Sequence, residues 1–233
     1  MNSDKLKEYL ISKGASLVGF ADLSELGADT MKSGVSIALC IPVDVIKSIS
    51  DGPNLEYHYW YHELNRRLDH LVESGAQFIR DLGYEAIAQT TSYVKEFGNY
   101  RTQIPHKTVA TLSGLGWIGK SALFVTEKFG SAIRLSSIIT DMPLEYGVPV
   151  RKSLCPQTCD RCKNACPGEA ISGRLWDYKT DRDEFYDPLK CRAKARQLAW
   201  ERIQKEITLC GKCIEVCPFT QKYISSNLGI TAE

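Results

Sequence analysis

The sequence predicts an α+β protein, with a layered domain of mixed helices and strands over residues 1–150 and a smaller cysteine-rich module over 151–233. Three observations carry this. Helical and strand-like hydrophobic spacings interleave along the first 150 residues instead of forming separate blocks. A turn-rich stretch, Asp141–Pro149, then marks a shift in composition. Beyond it, eight of the nine cysteines fall between Cys155 and Cys217, leaving only Cys40 outside.

The elements follow in order. Asp4–Lys13 has helical spacing, with Leu6, Tyr9 and Leu10 on one side and Gly14 as its stop. Ala15–Ala21 and Val35–Val43 read as buried strands. Cys40 lies inside the second of these and reads as a small core hydrophobe. Asn54–Leu82 is a long helix, because Leu64, Leu68, Leu71, Phe78 and Leu82 recur at helical intervals before Gly83. Its start carries the ring-rich run Tyr57–His62, where His58 and His62 share a face; half-buried aromatics explain the run, and a wall of a flat cavity is the alternative. Glu85–Gln89 is the next strand. Ser121–Thr126 and Ile133–Thr140 follow as two strands joined by a turn at Lys128–Gly130. Within the cysteine region, Trp176–Leu189 reads as a solvated, charge-rich loop and Lys190–Glu206 as a helix.

Composition narrows the function classes. Hydrophobic residues make up 43% and charged residues 24%, as in ordinary globular proteins. Against 28 acidic residues stand 29 basic ones, a net charge of +1. No broad positive field therefore points to nucleic acid or an anionic membrane. No apolar run approaches the roughly 20 residues that span a bilayer, and Met1–Leu10 has no signal-peptide core. The expectation is a cytoplasmic protein without a membrane partner. In such a compartment, clustered thiols point to metal or redox chemistry more than to disulfides.

The cysteine spacing is specific. One run is Cys155-x3-Cys159-x2-Cys162-x3-Cys166-Pro167. The other is Cys191, then Cys210-x2-Cys213-x3-Cys217-Pro218. Structural zinc is the main rival, since Cys-x2-Cys pairs also hold zinc, but the paired x3-Cys-Pro endings favour iron–sulfur cubes. They resemble the bacterial two-cluster ferredoxin pattern, in which the last cysteine of a run ligates the other cluster. That pattern implies one [4Fe–4S] cluster on Cys155, Cys159, Cys162 and Cys217, and a second on Cys166, Cys191, Cys210 and Cys213. Short gaps let three thiolates of one loop converge on a cube, while the fourth, followed by proline, starts a helix pointing away. Two departures stand out. The first gap is x3 instead of x2, and Cys191 must fill its place from far upstream.

Ser113–Lys120 reads SGLGWIGK. Gly114, Gly116 and Gly119 formally match GxGxxG, but the segment follows a helix-like stretch instead of a strand, and it is not a phosphate-binding loop of the Walker type. A tight turn before a strand accounts for it. Ala110–Lys120 (AxxxGLGWxGK), Ser131–Glu145, Cys159–Ile171 (CDRCKNACPGEAI) and Cys210–Phe219 (CGKCIEVCPF) together resemble the epoxyqueuosine reductases, a family related to the reductive dehalogenases. The likeness covers the second half of the chain well and the first half loosely. It is to a short form, without the family's C-terminal helical-repeat region.

The resemblance implies a nitroreductase-like α/β domain that binds cobalamin, followed by a two-[4Fe–4S] ferredoxin-like module. It implies an iron–sulfur reductase in which the clusters relay single electrons to cobalt, with the cofactor carrying the hard chemistry. Gly114, Leu115, Gly116, Trp117, Ile118, Gly119 and Lys120 are the cofactor-binding residues it suggests. An electron-donor protein such as a ferredoxin or flavodoxin and a small-molecule or corrinoid substrate are the partners expected. The family's Asp proton donor, in a V-D-S-A-P segment, has no counterpart: Asn99–Lys107 takes its place, and no carboxylate lies between Gly98 and Gly116. Tyr100 and His106 are therefore the candidate catalytic residues, tuned by Arg101 or Lys107. With a near-neutral charge and no basic footprint, tRNA is not the expected partner. Other readings are a ferredoxin-like electron carrier, or a protein that reduces a corrinoid on a partner, with no substrate chemistry of its own.

Overall fold

The computed structural model describes residues 2–27 and 30–228. It divides into two compact units, one formed by Met1–Cys40, Glu63–Trp117 and Arg134–Arg151, the other by Ile41–His62, Ile118–Ile133 and Lys152–Glu233.

In the first unit, helix α1 (Asn2–Ser12) leads into strand β1 (Leu17–Asp22), which pairs antiparallel with β2 (Ser33–Cys40) from Leu17↔Ala38 to Asp22↔Ser33. The sheet continues through β6 (Ile133–Thr140) to β3 (Ala86–Ala88), giving the order β1-β2-β6-β3. β3 and β6 are antiparallel, with Ala86 opposite Thr140 and Ala88 opposite Ile138. Helix α3 (Leu55–Asp81) gives this unit its residues from Glu63 onward. It packs closely because position 75 is glycine: a Cβ there would stand 2.7 Å from Ile138 Cδ1 and 3.1 Å from Leu10 Cδ2. Tyr9 of α1 stacks on Phe78 with ring centroids 4.9 Å apart. Helix α4 (His106–Leu112) closes an apolar cluster of Ala21, Leu23, Val109, Leu112 and Ile139, with Met31 and Ile104 against it. Burying the Val, Leu and Ile side chains among these stabilises the unit by about 1.5–3 kcal/mol each.

The second unit surrounds the cysteines. Helix α2 (Val43–Lys47) packs against α7 (Lys212–Glu215) and α8 (Pro218–Leu228). The Tyr223 hydroxyl donates to the Ile41 carbonyl at 3.2 Å, and its ring meets Phe129 edge-on at 5.2 Å. The Ser131 amide donates to Thr220 Oγ1 at 3.1 Å. From the long helix α6 (Pro188–Ile203), Arg202 donates to the Pro53 carbonyl at 3.2 Å. Residues 41–62 and 118–133 are thus built into the same compact body as the cysteine loops.

Several sequence expectations change. The strand expected over Val35–Val43 stops at Cys40, because Pro42 cannot donate to a ladder and instead precedes α2. Cys40 is half-buried at the strand end, not enclosed in the core. Of Ser121–Thr126 only Phe124–Val125 (β5) is strand, and its partner is β4 (Trp117–Ile118), in a separate two-stranded sheet. The turn at Lys128–Gly130 is closed by the bridge Thr126↔Gly130 and does not join two neighbouring strands. Trp176–Leu189 is more than a solvated loop. It holds a 3-10 turn at Arg182–Glu184 capped by Asp181, bridges Lys152↔Asp177 and Ile171↔Tyr186, and the buried ring of Phe185.

Candidate metal centre

The two compact cysteine runs fold alike. In the first, the Cys159 amide donates to the Pro156 carbonyl at 3.1 Å, closing a turn that leads into the short helix α5 (Arg161–Asn164) with Cys162 in it. In the second, Gly211 takes φ 83 and opens α7, which carries Cys213. A left-handed residue suits glycine, and here a Cβ would also press on Ile49 Cδ1 at 2.5 Å. α5 lies against α7. After Cys217, Pro218 occupies the first position of α8, where its missing N–H costs nothing. The expectation that a helix starts there holds for Cys217 but not for Cys166. After Cys166 the chain turns through Gly168 and Glu169, the latter at φ 49, and reaches the bridge at Ile171. Cys191 stands in the first turn of α6. Asp187 caps that helix, accepting from the Leu189 amide at 3.0 Å and the Lys190 amide at 2.9 Å.

The thiols fall into two neighbourhoods. Around Cys162 stand Cys155, Cys217 and Cys159; burial first, and these neighbours next, push its thiol up to about 11. Burial raises Cys191, with Cys166 adding to it, while the Tyr186 hydroxyl donates a hydrogen bond to its sulfur and opposes the rise. Cys210 is raised by burial and by Cys191 and Cys166, against the opposing Lys212 amide. Cys213, densely surrounded, is pushed well above the ordinary thiol range by burial and then by Cys210, Cys191, Cys162 and Cys166. Cys217 and Cys166 therefore each stand with thiols of the other run. Tyr186 is itself pushed well up, by burial and then by Cys191.

These surroundings fit iron–sulfur clusters. Buried thiols crowded against one another stay protonated unless a cation compensates them, and bound metal supplies that charge. Backbone amides already point at sulfur: Ala170 N–H donates to Cys166 Sγ at 3.4 Å, Lys163 N–H to Cys162 and Lys212 N–H to Cys210. Such bonds tune cluster potentials. Among the described residues, no group of three or more His, Cys, Asp or Glu side chains is arranged to hold a single metal ion, and a four-iron cube receives its thiolates at separate iron corners.

The SGLGWIGK segment spreads over several environments. Gly114 turns at φ 76 after α4, and a Cβ on it would meet the Val148 carbonyl oxygen at 2.7 Å. Leu115 packs beside Gly19, Gly116 is buried, and Trp117 is 1% exposed. Ile118 is half-buried in β4. Gly119 lies against the first cysteine loop, where a Cβ would stand 3.4 Å from Cys155 Sγ. Lys120 is 4% exposed, and its ammonium donates to the carbonyls of Gln157 and Cys159, each at 2.9 Å.

Tyr100 and His106 differ in setting. Tyr100, 39% exposed, takes φ 59 beside Asn99 at φ 48, in a tight turn closed by the bridge Phe97↔Arg101. His106 opens α4, with Nδ1 2.8 Å from Ser137 Oγ on β6. Burial, then the Arg134 guanidinium, lower its pKa to about 4, against an opposing pull from Asp69. Arg134 donates to Asn65 Oδ1 at 2.7 Å, and Asp69 accepts from the Thr91 amide at 2.8 Å. Sequence spacing could not single out Arg134, Asp69 or Ser137, which lie far from His106 along the chain. His58 and His62 meet edge-on with centroids 4.7 Å apart.

Comparison with known proteins agrees with this geometry. Residues 155–220 match the family model of a 4Fe–4S double cluster binding domain. The epoxyqueuosine reductase of Lactococcus garvieae is 27% identical over 169 residues, covering 70% of this chain and 42% of that protein. The tetrachloroethene reductive dehalogenase of Sulfurospirillum multivorans is 26% identical over 164 residues, covering 66% and 29%. The chain thus spans less than half the length of these curated relatives. Among solved structures, a catabolic reductive dehalogenase in complex with 3-bromo-4-hydroxybenzoic acid aligns over 99% of this chain and 34% of that one, with a TM-score of 0.74 and 18% identity. An epoxyqueuosine reductase with an epoxyqueuosine-modified tRNA stem loop aligns over 94% and 65%, with a TM-score of 0.59 and 21% identity. Among the described residues, no helix is long and apolar enough to cross a membrane. The chain is thus similar to the epoxyqueuosine reductases and to the reductive dehalogenases, and it carries a 4Fe–4S double cluster binding domain.

Proposed function

We propose that this chain is an iron–sulfur reductase that passes electrons through two [4Fe–4S] clusters to a cobalamin and reduces a substrate not yet identified. The observation that carries the reading is the grouping of the thiols. Cys162 has Cys155, Cys159 and Cys217 around it, which we read as one ligand set, and Cys191 and Cys210 lie near Cys166, which we read with Cys213 as the other. When bound, the clusters supply single electrons and the cobalamin a strongly reducing centre. A ferredoxin or flavodoxin fits the role of donor. We read residues 1–150 as a nitroreductase-like cobalamin domain, with 41–62 and 118–133 packed into the cysteine unit, and Gly114–Lys120 as its cofactor-binding residues.

The chain's own residues hold and move the proton. His106 is a neutral imidazole at neutral pH, because its surroundings disfavour the cation. Its Nδ1 is engaged by Ser137, leaving Nε2 for a partner. Tyr100 offers a phenol O–H from a backbone turn that holds it at positive φ. The residues of the Asn99–Lys107 stretch thus replace the carboxylate of the epoxyqueuosine reductases, and a small molecule or corrinoid is the substrate class we favour. The likeness to an epoxyqueuosine reductase solved with a tRNA stem loop favours a second reading, tRNA epoxide reduction.

The test is anaerobic. Chemically reduced, reconstituted protein is mixed with cob(II)alamin, and the visible spectrum is followed. The proposal expects tight corrinoid binding and its reduction by the bound clusters. No corrinoid binding would reject it in favour of an electron carrier. Turnover of an epoxyqueuosine-modified stem loop would replace the small-molecule substrate with tRNA.

A further inference from the structure

Lys120 is an unusual group for a cluster loop. It is 4% exposed, and a buried ammonium is costly unless it is fully bonded. Its ammonium donates to two carbonyls on one segment, Gln157 and Cys159, each at 2.9 Å, and forms an ion pair with the Asp160 carboxylate at 3.6 Å. The carboxylate is 48% exposed and so screened by water, which leaves the buried cation only partly neutralised. The acceptors are placed where the cysteine spacing departs from the ferredoxin pattern. Between Cys155 and Cys159 there are three residues where that pattern has two. The longer link makes the turn Pro156–Cys159, and Lys120 takes up the carbonyl of Gln157 inside it. Next to Lys120, Gly119 brings the chain against Cys155 Sγ.

We infer that Lys120 is a positioning residue for the first cluster, clamping the long Cys155–Cys159 link and fixing a positive charge on the backbone of a ligand residue. The inference rests on the two ligand sets given under the proposed function. Its consequence is electrostatic. When the cluster takes one electron from its donor, the cube gains one negative charge, and a fixed cation nearby stabilises that reduced state. Among the described residues, no comparable buried lysine is bonded to the loop of the second run: Lys212 is partly exposed and bonds to Ser50 and Glu215. The two clusters should therefore differ in potential, with Lys120 acting on one of them.

The experiment is an EPR-monitored redox titration of the reconstituted chain, of Lys120→Met and of Asp160→Asn, with iron analysis of each. Lys120→Met removes the cation and should move one midpoint to more negative potential. Asp160→Asn removes the opposing carboxylate and should move the same midpoint to more positive potential. The other midpoint should stay fixed in both. If Lys120→Met instead loses about half its iron while the surviving midpoint keeps its value, the clamp is supported directly. Unchanged midpoints and iron, shifts of equal sign, or movement of both midpoints together would overturn the inference. Asp160 is exposed enough that its substitution leaves folding intact, so the sign test survives a misfolded Lys120→Met. Wild-type protein with only one cluster would reject the ligand sets themselves, and the inference with them, whatever the variants do.

Discussion

His106 shows how a single side chain takes its properties from distant sequence. As the first residue of α4 it is packed against β6, and burial first, with the Arg134 guanidinium next, lowers its pKa to about 4 from an ordinary 6.5. The sign follows. In the unfolded chain His106 gains a proton near pH 6.5, and in the folded chain only near pH 4, so the unfolded state binds more protons in between. Stability from this group is complete above pH 6.5 and is lost as pH falls toward 4. A difference of 6.5 − 4 = 2.5 in pKa corresponds to at most about 3 kcal/mol. Denaturant unfolding at pH 7.0 and pH 4.5 should show a larger loss for wild type than for His106→Gln. An equal loss would mean that His106 titrates normally. The residue types near Asn99–Lys107 were legible as candidates from sequence. Their environments were not, because Ser137, Arg134 and Asp69 come from β6 and α3.

Elements show where hydrophobic patterning informs and where it fails. The helix at Leu55–Asp81 was readable because leucines at helical spacing dominate a long window. Strand β6 was readable from its β-branched Ile133, Ile138, Ile139 and Thr140 and the turn residues that bound it. The pairing of β5 with β4 was not, because each is two residues long and pairing partners leave no local signature. The loop before α6 looked solvated from its charges, yet Asp181 and Asp187 serve as caps and Phe185 is buried between them in sequence. That cap matters for the metal centre. Asp187 accepts from two amides of the first turn of α6, the turn that positions Cys191. Asp187→Ala should cost about 1 kcal/mol, read as a lowered Tm of the reconstituted chain. It should also speed iron loss to a chelator. Unchanged iron release would show that the cap does not hold Cys191.

At the scale of the whole molecule, the cysteine spacing carried the most information, because cubane ligation constrains sequence separation directly. Both ligand sets follow from the likeness of the spacing to the two-cluster ferredoxin pattern, and in the structure Cys162 lies near Cys155, Cys159 and Cys217 while Cys191 and Cys210 lie near Cys166. What spacing could not reveal is how much of the chain supports them. Ile41–His62 and Ile118–Ile133 share a compact unit with the cysteine loops, although neither contains a cysteine. That Lys120 reaches the first loop and Tyr186 reaches Cys191 was visible only once side chains had positions. The central claim is that the eight thiols hold two four-iron clusters. Anaerobic reconstitution followed by iron and acid-labile sulfide analysis tests it most directly. The account predicts about eight iron and about eight sulfide per chain, as two such clusters require; about four of each, or stoichiometric zinc without sulfide, would contradict it.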